Sequence, residues 1–146
     1  MADMHATSQG FAIIRILVVD DFGPWRHKVC CLLGTHALLQ VVGEASHGPA
    51  AVQQAKDLQP DLILLDIGLP ELSGIDAANQ IRQFAPDAKI LFLTQNRDIA
   101  IVRAALNTGA TGYIVKSSAG SELLAAVEAV MRGDRFVSGE LRGWET

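Results

Sequence analysis

The stretch that most narrows what this chain can become is Asp61-Leu62-Ile63-Leu64-Leu65-Asp66, followed at once by Ile67-Gly68-Leu69-Pro70. An unbroken aliphatic run of this kind reads as a strand buried on both faces, which places it in the middle of a parallel sheet. Asp66 then stands where the strand stops, at the carboxyl edge, where open α/β sheets hold their ligand sites. A lone acid at a strand end is ordinarily a turn or cap residue. Asp66 acquires a functional reading only if other strands deliver matching chemistry to the same edge.

They do. After a polar stretch read as a flexible tail (1–12), residues 13–19 form a β-branched run ending in Asp20-Asp21. Gly23-Pro24 marks the turn into a helix, on which Trp25, Val29, Leu32 and Leu33 share one face and which Gly34 ends. A short strand at 40–45 precedes a modest helix carrying Ala51, Ala55 and Leu58 and closed by Pro60. Beyond the central strand, Ser73 is the expected N-cap of a helix carrying Ile75, Ala78 and Ile81. Residues 89–94 form a strand ending on Thr94, a helix is expected over about 97–108, and residues 112–115 form a last strand with Lys116 at its tip. Leu123, Leu124, Val127, Val130 and Met131 repeat with helical spacing, with Ser118 and Ser121 as alternative caps. Strands alternating with helices in this way predict an α/β fold, (βα)5: a doubly wound, five-stranded parallel sheet with helices on both faces and right-handed crossovers. The expected strand order is 2-1-3-4-5, with the site at the reversal between the first and third strands, the two that end in acids.

Asp20, Asp21, Asp66, Thr94 and Lys116 would then meet at one edge. Two like charges about 4 Å apart repel by roughly 4 kcal/mol at an effective dielectric of 20, so three carboxylates require a cation. Oxygen donors with no Cys or His among them favour Mg²⁺. The histidines (His5, His27, His36, His47) show no metal-ligand spacing, which argues against zinc. Beside Mg²⁺, one carboxylate can take a phosphoryl group as an acyl phosphate while Lys116 neutralises charge on its oxygens. Read singly, Asp20-Asp21 could be a cap pair, Thr94 a strand residue and Lys116 a solvated charge; four strand ends carrying such residues together make the functional reading the stronger one. The wider composition agrees. A net charge of −4 leaves no electrostatic footprint for nucleic acid. No apolar run approaches the roughly 18 residues of a membrane span, and the polar stretch Met1 to Gly10 lacks the basic-then-apolar build expected of a signal peptide. Cys30 and Cys31 are neighbours, badly placed to bridge each other, and fit a reducing, cytoplasmic setting.

Taken in order, Val18-Val19-Asp20-Asp21, Leu64-Leu65-Asp66-Ile67-Gly68-Leu69-Pro70, Leu93-Thr94 and Gly112-Tyr113-Ile114-Val115-Lys116 resemble the receiver domain of bacterial two-component response regulators. The resemblance spans about 13–132, leaving 133–146 as a linker-like tail, and its wording is closest to the subfamily usually joined to a helix-turn-helix DNA-binding domain. It implies a flavodoxin-like fold in which Asp66 accepts phosphoryl from a sensor histidine kinase or histidine phosphotransfer protein. It implies that Asp21, Asp66 and the Gly68 carbonyl ligate Mg²⁺, with Asp20 holding a metal-bound water. Lys116 would contact the phosphoryl group, Thr94 would move toward it, and Tyr113 would turn inward as the fourth helix, fifth strand and fifth helix switch packing. A homodimer is a further candidate assembly; no direct nucleic-acid or membrane partner is expected of this stretch. Gln95 departs from the small residue usual after the hydroxyl, and Trp25 at the cleft mouth is assigned to packing. Three rivals are weaker. An aspartyl phosphohydrolase would want a second acid at the position of Gly68; an interaction module independent of phosphorylation would typically have lost one of the acids, Thr94 or Lys116; and no phosphate-binding glycine loop follows the first strand.

Overall fold

The computed structural model describes residues 12–141, so the expected tail at 1–12 lies outside the described residues except for its last position, as do residues 142–146. In chain order the elements are β1 (Ile14–Val19), α1 (Gly23–Leu33), β2 (Leu39–Ala45), α2 (Gly48–Leu58), β3 (Leu62–Leu65), α3 (Gly74–Phe84), β4 (Lys89–Thr94), α4 (Ile99–Leu106), β5 (Gly112–Val115), α5 (Ala119–Met131) and β6 (Phe136–Val137). Every strand pairing is parallel and the order is β2-β1-β3-β4-β5-β6. The doubly wound α/β architecture is therefore as expected, and no helix among the described residues is long and apolar enough to cross a membrane.

The sheet has six strands where five were expected. Phe136–Val137, in the stretch read as linker-like, pair with Gly112 and Tyr113 of β5. Two residues are too few to show a period, so their pairing rests on tertiary contacts. Ser138 is buried and its Oγ accepts from the Val115 amide at 3.0 Å. The same hydroxyl donates to Glu122 on α5 at 2.6 Å, and Leu141 enters the core.

Strand alternation splits the core into two layers. Leu17, Val19, Ile63, Leu65, Ile90 and Phe92 face α2, α3 and α4, where Ala51, Ala55, Ala77 and Ala78 let backbones approach closely. Ile16, Val18, Leu62, Leu64, Leu91 and Leu93 face Val29 and Leu33 of α1 and Leu123, Val127 and Val130 of α5. All of Leu62–Leu65 is essentially sealed from solvent, at about 1.5–3 kcal/mol per side chain.

Local signals set the helix ends. Ser73 accepts from the Asp76 amide at 3.2 Å, as expected of an N-cap. Helix α4 is shorter than the expected 97–108, because Asp98 caps it through the Ala100 amide at 2.9 Å and Gly109 leaves it at φ +92°. Neither Ser118 nor Ser121 caps α5 by its side chain. The Ser118 hydroxyl donates to Glu140, and that of Ser121 to the Ser118 carbonyl.

On α1 the two cysteines are free thiols with different surroundings. Burial, with the Glu44 charge adding, pushes the half-buried Cys30 thiol up to about 11; Cys31 is exposed. Because the thiolate is the reactive form, alkylation at pH 8 is expected to reach Cys31 first. The Cys30 rate should then climb about tenfold per pH unit toward pH 10. Peptide mapping after timed labelling checks this; Cys30 reacting first, or at a pH-independent rate, would contradict it.

Candidate functional site

Strand register brings the predicted residues together. Val19 pairs with Leu65, so Asp20 and Asp66 leave adjacent strands side by side, and the Asp66 amide donates to the Val19 carbonyl at 3.1 Å. Thr94 pairs with Val115, which sets Lys116 one residue beyond, on the other flank of Asp66. Helix α3 is pressed against the same strand end. The Gly74 amide donates to the Ile67 carbonyl at 2.8 Å, and a β-carbon on Gly74 would collide with the Asp66 carbonyl. Only glycine lets α3 start there.

Carboxylate oxygens of Asp20, Asp21 and Asp66 all lie within 4.8 Å of one another, with Asp20 and Asp66 buried and Asp21 exposed. Lys116 reaches both buried acids, Nζ standing 2.6 Å from Asp20 Oδ2 and 3.2 Å from Asp66 Oδ2. The remaining oxygens are held by backbone: Asp20 Oδ1 accepts from the Phe22 amide at 2.9 Å and Asp66 Oδ1 from the Ile67 amide at 2.8 Å. Burial raises the Asp20 pKa; the Lys116 and Phe22 hydrogen bonds only partly offset it, and the Asp66 charge pushes the same way. For Lys116, burial alone would favour the neutral amine, but hydrogen bonding to Asp20 and the charges of Asp66 and Asp20 more than reverse this and raise its pKa. Three carboxylates against one ammonium leave excess negative charge, and the donors are all oxygen. Such a set suits a hard divalent cation.

The acids open onto a cleft of about 1090 Å³ lined by Asp21, Asp66, Gly68, Thr94, Gln95 and Lys116 among others. Thr94 is buried, its Oγ1 3.5 Å from the Asn96 amide. Gly68 sits on the rim with open space where a side chain would go. Tyr113 is fully buried and already points inward, its hydroxyl donating to the Asn96 carbonyl at 2.7 Å. Burial drives the Tyr113 pKa well up, with the Asp66 and Asp98 charges adding, so it serves as a neutral donor. Trp25 packs against the core as assigned, and its ring also lies 5.5 Å from both Lys116 Nζ and Lys28 Nζ.

Sequence reasoning missed the cations around this edge. Arg97 lines the cleft and donates to Ser117 Oγ at 2.7 Å and to Glu140 Oε2 at 3.2 Å. Glu140 also accepts from Ser117 and Ser118, at 3.0 and 2.7 Å, so the stretch after β6 is fastened beside Lys116. Those hydroxyls and Arg97 hold the Glu140 carboxyl below its usual range. Arg26 donates to the Asp20 backbone carbonyl at 2.7 Å. Charged residues on helices and in loops read as solvent-facing by periodicity, and nothing local marks these as bound.

The sequence model for the response regulator receiver domain matches residues 16–128. Among curated proteins, the chain is 34% identical over 128 residues to response regulator protein VraR of Staphylococcus aureus, covering 88% of this chain and 61% of that protein. It is 32% identical over 129 residues to response regulator GacA of Pseudomonas viridiflava, covering 88% of this chain and 60% of that protein. The chain thus spans about three-fifths of the length of these relatives. Among solved structures, a two-component response regulator of the LuxR family from Aurantimonas superposes with a TM-score of 0.85 at 34% identity, over 89% of this chain and 93% of that one.

Proposed function

We propose, on the premise that this chain belongs to the response regulator receiver domain family, that Asp66 is its phosphoacceptor and that the acid edge is the site of a Mg²⁺-dependent phosphoryl transfer. The observation that carries the reading is the meeting of Asp20, Asp21 and Asp66 with Lys116 bonded to two of them. In the transfer, an Asp66 carboxylate oxygen attacks phosphorus, a new O–P bond forms to give an acyl phosphate, and the bond from phosphorus to the donor's leaving group breaks, the leaving group keeping the electron pair. With a kinase or phosphotransfer protein the leaving group is a histidine imidazole nitrogen. Lys116, poised at Asp66 Oδ2, takes up charge on the incoming phosphoryl oxygens. Mg²⁺, which Asp21, Asp66 and the Gly68 carbonyl would hold with Asp20 behind them, supplies the rest of that neutralisation. The Thr94 hydroxyl, on the cleft wall, offers a hydrogen bond to the attached group, and Tyr113 behind it anchors the loop that carries Asn96. Shifting that wall would bias the α4-β5-α5 face.

The domain acts as a phosphoacceptor, with no external substrate to turn over, in the cytoplasm, where its kinase partner presents phosphohistidine. The receiver unit, expected over 13–132, carries the stretch through Leu141 with it, since β6 and the buried Ser138 and Leu141 pack on β5 and the core, and a DNA-binding output would belong to a separate domain. The test is incubation with acetyl phosphate and Mg²⁺, followed by mass spectrometry. The expected result is one phosphoryl group per chain, mapped to the peptide containing Asp66 and absent when EDTA replaces metal. An adduct on another residue, or one forming equally without metal, would overturn the assignment.

A further inference from the structure

We infer that Arg26 is a positioning residue for the metal-binding acids, setting the direction in which Asp21 projects; the inference rests on the Mg²⁺ reading above. Arg26 Nη1 donates to the Asp20 carbonyl at 2.7 Å, and Nε donates to Glu44 Oε1 at 2.9 Å. Glu44 is the neighbour of Ala45 on β2, and the Ala45 carbonyl accepts from the Asp20 amide at 3.0 Å. A closed circuit therefore runs from Asp20 through β2 and α1 back to Asp20. Its result is mechanical. The peptide joining Asp20 to Asp21 is planar, so fixing the Asp20 oxygen fixes the Asp21 nitrogen and the exit of the Asp21 α-carbon.

That aim matters because Asp20 is already committed, one oxygen to the Phe22 amide and the other to Lys116. Asp21 is exposed, and among the described residues no salt bridge or side-chain hydrogen bond holds its carboxylate. Its placement depends on backbone alone. A charged donor on a backbone carbonyl makes a strong, directional hydrogen bond, and Arg26 makes it from a side chain only 23% exposed. Hydrogen-bond partners that orient metal ligands from outside the ligand set typically change affinity by about 10- to 100-fold when removed, and Arg26 acts in this way through the peptide that joins Asp20 to Asp21.

The experiment is calorimetric Mg²⁺ titration of the wild type, Arg26→Ala and Glu44→Gln, with thermal melts to set a temperature at which each is folded. Arg26→Gln, which keeps part of the aliphatic stem, carries the test if the alanine variant does not fold. Arg26→Ala is expected to bind Mg²⁺ about 10- to 100-fold more weakly. Glu44→Gln, whose amide oxygen can still accept from Nε, is expected to change affinity by less than about fivefold. A salt bridge that merely tied α1 to β2 would lower the melting temperature in both variants and leave Mg²⁺ affinity alone. Wild-type affinity in the Arg26 variant, or equal losses in both, would overturn the inference. If the wild type itself takes up no Mg²⁺, the metal reading fails first and this inference falls with it.

Discussion

Asp66→Asn is expected to abolish the phosphoryl adduct formed from acetyl phosphate while leaving the domain folded. The amide nitrogen and oxygen of Asn cannot act as the carboxylate nucleophile, and no second carboxylate shares its position between Lys116 and the Ile67 amide. The fold should tolerate the change for three reasons. Asn can still accept from the Ile67 amide, Lys116 keeps its shorter contact of 2.6 Å with Asp20, and one member of a repelling trio is neutralised. Repulsion between charges about 4 Å apart is worth roughly 4 kcal/mol at an effective dielectric of 20, against loss of the 3.2 Å contact to Lys116. The melting temperature without metal should therefore stay at or above that of the wild type. A fixed, high Mg²⁺ concentration should raise it less in the variant, since stabilisation by a ligand grows with the logarithm of its concentration over Kd and losing a carboxylate ligand raises Kd. Intact-mass measurement and paired melts check both halves; a persistent adduct, or a variant that fails to fold, would refute the account.

The second large effect is structural. Arg82→Ala is expected to cost about 2–4 kcal/mol of stability, or roughly 6–15 °C in melting temperature for a domain of this size. From α3, one guanidinium donates to the carbonyls of Ala88 at 2.9 Å, Gly109 at 2.7 Å, Thr108 at 3.3 Å and Pro86 at 3.4 Å. It thus clamps the entry to β4 and the exit from α4 at once. Burial pulls the Arg82 pKa down, yet a guanidinium remains charged, and alanine would leave these carbonyls to whatever water reaches them. Lysine should recover little, because a single ammonium cannot span both segments. Chemical denaturation of the three proteins decides the matter; wild-type stability in Arg82→Ala would show that water replaces the clamp at no cost.

Arg82 also shows where reading from sequence stops. Buried strands announce themselves through unbroken aliphatic runs, and their terminal residues inherit a location from the strand, which is why Asp20, Asp66, Thr94 and Lys116 could be assembled before any coordinates. Helix faces were legible wherever apolar spacing was regular, as in α1 and α5. Arg26, Arg82 and Arg97 carry no such mark, because a charged side chain in a helix or loop looks the same whether it meets solvent or a distant carbonyl. The sixth strand was hidden for a different reason: Phe136–Val137 has no period of its own and is held where the next residue, Ser138, bonds Val115 and Glu122, both many positions away. The start of α4 needed the Asp98 side chain to be seen capping Ala100.

That small sixth strand has a practical consequence for anyone shortening the polypeptide. A chain cut at Gly133 would lose Phe136 and Val137 from the outer side of β5, together with the Ser138 hydroxyl that satisfies the Val115 amide. Gly112–Val115 would then offer naked peptide groups to any passing extended segment, the usual seed of sticky, self-associating protein. Four more residues past Val137, ending on the buried Leu141, keep that flank closed.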